Sequence, residues 1–143
     1  MLDCIQLSFP VYSDKGVIGI ISIERFSHIL DELAALLPGE IFKNLNLGVS
    51  VSAHSKREHR VRPNLPVYIL GEYRVYPVMG RSIVLYYGSF CEVYSHLQSE
   101  DDLRIEIDKV LKHELTRHLE SQAGSRVLEL ENAIRLRGIN LED

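Results

Sequence analysis

Ser99-Glu-Asp-Asp-Leu-Arg-Ile-Glu-Ile-Asp-Lys-Val-Leu-Lys-His-Glu-Leu-Thr-Arg-His-Leu-Glu-Ser-Gln-Ala-Gly124 reads as one long amphipathic helix that carries the chemistry of this chain. Ser99 caps it, and Glu100, Asp101 and Asp102 fill the first turn, where negative charge favours the positive end of the helix dipole. Setting His113 to zero and advancing about 100° per residue puts Leu103, Ile107, Val110, Leu111 and Leu115 on one face between about 60° and 200°. Glu114 then falls at about 100° and His118 at about 140°, both in the middle of that apolar face. A carboxylate there loses hydration and needs a metal, a cation, a proton or His118 to compensate it. The predicted helix runs to about Gln122, and Gly124 is its expected left-handed terminator. A last helix is predicted over about 126–137.

His113 and position 117 flank the same face at about 0° and 40°, the geometry of H-E-x-x-H. In that motif two histidines share a zinc ion, and the glutamate beside the first activates metal-bound water as a general base. Here position 117 is Arg117, and His118 lies too far round to replace it. Three ligands from one straight helix cannot surround a metal tetrahedrally. A third must return from beyond the turn at Gly124, and Glu129 and Glu131 are the acidic candidates. Glu120 lies in line with His113 and position 117, and His118 is close by; both are expected to support a ligand from behind.

Working outward, Ser22 caps a helix over 23–37, in which Phe26, Ile29, Leu30, Leu33 and Leu37 recur at helical spacing before Pro38-Gly39. Residues 40–45 add a turn or two, and Gly48–Ala53 alternates as a short strand. His54–Pro63 reads as a basic solvated loop. Leu65–Leu70 and Tyr73–Tyr76 read as strands, with Gly71-Glu72 as a bulge or bend. Arg81–Tyr87 is the strongest strand signal, and Phe90–Leu97 a short helix. A hairpin over about 5–20 is predicted from the turn residues Ser13-Asp14-Lys15-Gly16. With helix, strands and helices in blocks and no βαβ alternation, the class is α+β.

The remaining features exclude more than they assign. The chain has 143 residues, 45% hydrophobic and 25% charged, with a formal net charge of −4, so one domain is expected and no nucleic-acid partner. No run of about 18 apolar residues predicts a membrane span. No basic region precedes the N-terminal apolar stretch, so no secretory signal is expected. Cys4 and Cys91 stand far apart in no C-x-x-C pattern, as reduced thiols of a cytoplasmic protein would.

Four stretches, IISIERFSHILDELAALLP, YILGEYRVYP, IVLYYGSF and VLKHELTRHLESQAG, in this order resemble the minimal zincin-like metallopeptidases of bacteria. They are most similar to a clostridial-type branch whose helix reads H-E-x-x-H-H-x-E-x-x-A-G, followed closely by D-x-E-x-E-D. The resemblance spans about Ile20 to Ile134. It implies one zincin-like domain over 20–143, with residues 1–19 as an N-terminal appendage. The implied fold is a small, mostly antiparallel or mixed sheet packed against an N-terminal helix and the long active-site helix.

The resemblance makes His113 the first zinc ligand and Glu114 the catalytic base, and matches His118, Glu120, Ala123, Gly124, Glu129 and Glu131 to positions of the same motif. Arg117 stands for the second zinc histidine, and Val127 and Asn132 stand for aspartates. Ile83–Ser89 is the implied edge strand for an extended peptide substrate, with Tyr86, Tyr87 and Gly88 shaping a subsite. Two functions follow: a zinc peptidase hydrolysing peptide bonds, impaired by Arg117, or an inactive relative that binds peptides or a protein partner. Arg117 is also expected to substitute for the metal's charge by pairing with Glu114, Glu120, Glu129 or Glu131.

Overall fold

The computed structural model describes residues 21–58, 67–97 and 99–136. The hairpin expected near 5–20, and the appendage assigned to 1–19, lie outside these residues. The first helix, α1 (Ile23–Ala35), begins where expected, with the Ser22 hydroxyl accepting the Arg25 N–H at 3.1 Å. Its Phe26, Ile29, Leu30 and Leu33 are buried. A short 3-10 turn at Gly39–Phe42 leads to β1 (Val49–Ser52).

Two short strands follow, β2 (Lys56–Arg57) and β3 (Tyr68–Ile69), which pair antiparallel. Lys56 and Arg57 therefore belong to a strand and not to the predicted loop. Then come β4 (Gly71–Tyr76) and β5 (Gly80–Tyr86), α2 (Tyr87–Val93) and the long α3 (Glu100–Leu136).

The main sheet is mixed, in the order β1-β5-β4, with β1 parallel and β4 antiparallel to the central β5. One face of the sheet carries Ile83 and Leu85. These join Phe26, Ile29 and Leu30 of α1 and Leu103, Ile107, Leu111 and Leu115 of α3 in a single core. Phe26 packs edge-on against both Tyr87 and Phe90, closing that core from α2. The fold is α+β.

Four local expectations are corrected. Gly71 and Glu72 form no bulge; they pair in register with Leu85 and Val84. Gly71 is needed because α3 passes so close: a Cβ there would lie 2.7 Å from the Val110 Cγ1. The strand ending the sheet stops at Tyr86, and the short helix runs over Tyr87–Val93 instead of 90–97.

The fourth correction concerns Gly124, which does not end the helix: α3 is continuous through it to Leu136, absorbing the predicted last helix. Glycine costs only about 1 kcal/mol inside a helix, and strong helix formers surround it. Arg81 also braces both sides of it, donating to the Ser121 hydroxyl at 2.8 Å and the Ser125 hydroxyl at 3.2 Å. Among the described residues no helix is long and apolar enough to cross a membrane.

Candidate functional site

The amphipathic pattern of α3 decides where its polar residues go. Glu114 is 4% exposed and His118 fully buried, whereas His113, Arg117 and Glu120 are exposed. The two buried groups have different surroundings. His118 lies against the Tyr73 ring, with Nδ1 2.9 Å from the Tyr73 hydroxyl and Nε2 2.8 Å from the Lys43 carbonyl. The Tyr73 hydroxyl accepts from Arg81 at 2.7 Å, and the Gln122 side-chain amide nitrogen lies 2.6 Å from Nε2 and donates to the same Lys43 carbonyl at 2.8 Å, so both ring nitrogens have polar partners in either tautomer. His118 is thus a satisfied core histidine that ties α3 to β4 and to the loop after the 3-10 turn, and it does not pair with Glu114.

Glu114 sits beside β4, whose outer edge is unpaired among the described residues. The Leu70 carbonyl accepts the Tyr86 N–H, which sets the ladder phase: Glu72, Arg74 and Tyr76 exchange bonds with β5. The N–H and C=O groups of Gly71, Tyr73 and Val75 therefore point away from it. The Tyr73 N–H meets the Glu114 carboxylate. The other oxygen, Oε1, is buried without a hydrogen-bond partner among the described residues. Burial pushes the Glu114 carboxyl above its ordinary range; the nearby charges of His113 and Arg117 oppose that rise without cancelling it.

Beside Glu114 opens a cleft of about 510 Å³. Tyr68–Gly71 form one wall and Glu106, Lys109, Val110, His113 and Arg117 the other, with Tyr94 at one end. Sequence reading missed the strand wall. Its one signal was Gly71 inside a strand, a mark of close approach that was read as a bend.

The structure separates several residues that the sequence had grouped. Glu129 lies 16 residues beyond His113 on the same helix, about 24 Å along the axis at 1.5 Å per residue, and Glu131 lies farther still. Neither reaches the cleft. Arg117 lines the cleft but makes no hydrogen bond or ion pair with Glu114, Glu120, Glu129 or Glu131. Its charge acts on Glu114 through space.

Ile83–Tyr86 is no edge strand, since β5 is paired on both sides. The Tyr86 hydroxyl donates to Glu72 at 2.6 Å on the opposite face of the sheet, the Tyr87 ring is buried in the core, and Gly88 packs on the backbone of His54 and Ser55. These three hold the fold together. Among the described residues, the edge strand beside the helix is β4.

These donors do not fit a zinc site. His113 and Glu114 are in place, but a permanently charged guanidinium stands at the second ligand position. No group of three His, Cys, Asp or Glu that could hold a metal exists among the described residues.

No family model and no curated protein matches the chain. Among solved structures, it is similar to a conserved hypothetical protein from Thermo thermophilus, at 34% identity and a TM-score of 0.62. The match covers 73% of this chain and 99% of that one, and this chain belongs to the family of that protein.

Proposed function

We propose that this chain is a non-catalytic relative of the zincin-like metallopeptidases that binds extended peptides in the cleft between α3 and the β3–β4 edge. The observation that carries this reading is the buried Glu114 carboxylate, with one oxygen unpartnered among the described residues, beside a strand edge and a cleft that Arg117 lines. Oε1 is buried, so a peptide N–H would reach it only after the Glu114 side chain turns toward the cleft; the outward-facing groups of Gly71, Tyr73 and Val75 are what an added extended segment meets first. Lys109, His113 and Arg117 recur every fourth residue along the helical wall, so carboxylates on the peptide are their complement. Without zinc, Glu114 acts as a hydrogen-bond acceptor rather than as a base.

The test is metal content and peptide chemistry on the purified protein. The expected result is no stoichiometric zinc after equilibration with zinc and no cleavage of an unstructured acidic peptide pool. The same pool should shift the amide resonances of Gly71, Tyr73, His113 and Arg117. About one zinc per chain, with hydrolysis abolished by Glu114→Gln, would establish the peptidase instead. Arg117→His, which recreates H-E-x-x-H, should bind zinc more tightly than the wild type.

A further inference from the structure

Arg81 starts from the second position of β5 and reaches across to the far half of α3. Its Nη1 donates to the Tyr73 and Ser121 hydroxyls at 2.7 and 2.8 Å, and its Nη2 to the Ser125 hydroxyl at 3.2 Å. All three partners are neutral. No carboxylate lies within ion-pair distance of this half-buried guanidinium among the described residues. A guanidinium carries five N–H donors, so Nε–H and one N–H of Nη2 are left over. The two serines accept from Arg81 and donate to no described residue, which leaves their hydroxyl protons available as well.

Of these, Arg81 and Ser125 border a cavity of about 260 Å³, lined also by Asn44, Gln122, Arg126 and Glu129. It shares no lining residue with the peptide cleft. Arg126 adds a second cation. The Asn44 side-chain amide donates one proton to Gln122 Oε1 at 3.1 Å and keeps its other proton. Glu129, exposed at the rim, is the one acidic group of the lining.

We propose that this cavity is a binding site for a small oxyanion, a phosphate or a carboxylate. Arg81 is its fixed base, held in place by three hydroxyls before any ligand arrives. Arg126 closes on the ligand from the helix, and Ser125 and Asn44 donate from the sides. Two guanidinium groups against one rim carboxylate leave the cavity net positive, and planar guanidinium donors match the paired oxygens of phosphate and carboxylate. An arginine whose work was solely to brace β5 against α3 would have no need of the second cation or of the cavity. This site stands apart from the proposed peptide cleft and survives its failure.

The experiment is thermal melting of the intact chain in sodium phosphate, sodium acetate and sodium chloride at matched ionic strength, with the variants Arg126→Ala, Glu129→Gln and Arg135→Ala. Phosphate should raise the melting temperature saturably beyond chloride. Arg126→Ala should abolish the rise, Glu129→Gln should move saturation to lower phosphate, and Arg135→Ala, exposed and lining neither cavity, should leave it unchanged. A matching response to acetate assigns the site to carboxylates as well, and its absence assigns it to phosphoryl groups. No saturable rise beyond chloride, or a rise that persists in Arg126→Ala, overturns the proposal. Arg126 is exposed, so its removal leaves the fold intact.

Discussion

Replacing Glu114 with glutamine should stabilise this protein at neutral pH, and the gain should fade in acid. The glutamine keeps the shape and retains an oxygen for the Tyr73 N–H. What it removes is a negative charge on a side chain that is 4% exposed, with Oε1 unpartnered among the described residues. An unsatisfied buried polar group costs about 1–3 kcal/mol, and more when charged; the glutamine NH2 in the place of Oε1 keeps the neutral cost, so only the excess due to the charge is removed. His113 and Arg117 return part of that excess through space, so a gain of about 1 kcal/mol is expected near pH 8. For a chain of this size that corresponds to roughly 4 °C of melting temperature per kcal/mol.

The pH dependence follows from the direction of the carboxyl's shift. Its folded value lies above its unfolded value, which is about 4.3 for glutamate. The folded state therefore binds the proton more readily, and the wild type loses stability as pH rises through the folded value. Below the unfolded value both states are protonated and the variant's advantage is gone. Urea unfolding of both proteins at several pH values from 4 to 8 would measure this. A glutamine variant no more stable than the wild type at pH 8, or a gain that does not change with pH, would show that the Glu114 charge is already satisfied. The argument for an unsatisfied carboxylate beside the cleft would then fall. A costly charge kept at a cleft is the kind of local inconsistency expected at a functional position.

Three further outcomes are expected. Gly71→Ala puts a methyl 2.7 Å from the Val110 Cγ1 and 3.3 Å from the Val84 carbonyl, and should destabilise by about 1–3 kcal/mol in urea unfolding, with partial rescue by Val110→Ala. Val78 is a fully exposed β-branched residue at φ 71 in the β4–β5 turn, so Val78→Gly should raise stability by about 1 kcal/mol in thermal melting. On the other face of the sheet, burial alone would raise the Glu72 carboxyl, but hydrogen bonds from Lys56, Tyr86 and Arg74 hold it down at about 2. That stability is present above the unfolded value and lost as pH falls towards 2. Glu72→Gln should therefore cost about 1–2 kcal/mol at pH 7, after allowance for partial exposure, and almost nothing near pH 2.5, read from urea midpoints.

Much of the fold was legible because burial follows periodicity. The spacing of Phe26, Ile29, Leu30 and Leu33, and of Leu103, Ile107, Leu111 and Leu115, picked out the inward faces of α1 and α3. The same arithmetic placed Glu114 and His118 inside and left His113 and Arg117 at the edge, as found. The helix ends were less legible. Ser22 and Ser99 act as caps, each accepting a backbone N–H at 3.1 Å three residues on. Gly124, an equally plain stop signal, is passed over because its cost is small beside the helix formers and the Arg81 brace around it.

The sequence by itself determined which residues of the long helix face the core, that a glutamate and a histidine lie among them, and that an arginine stands where H-E-x-x-H needs histidine. These are properties of one helix, set by its own repeat. Only the tertiary structure decided what meets them. It gave His118 to Tyr73 and Lys43, buried a Glu114 oxygen with no partner among the described residues, carried Glu129 and Glu131 out of reach, and made β4, not β5, an edge strand among those residues. Such pairings join residues tens of positions apart, and which strand ends the sheet depends on pairing order. No local pattern encodes either, because the free energy that selects them comes from packing whole elements together.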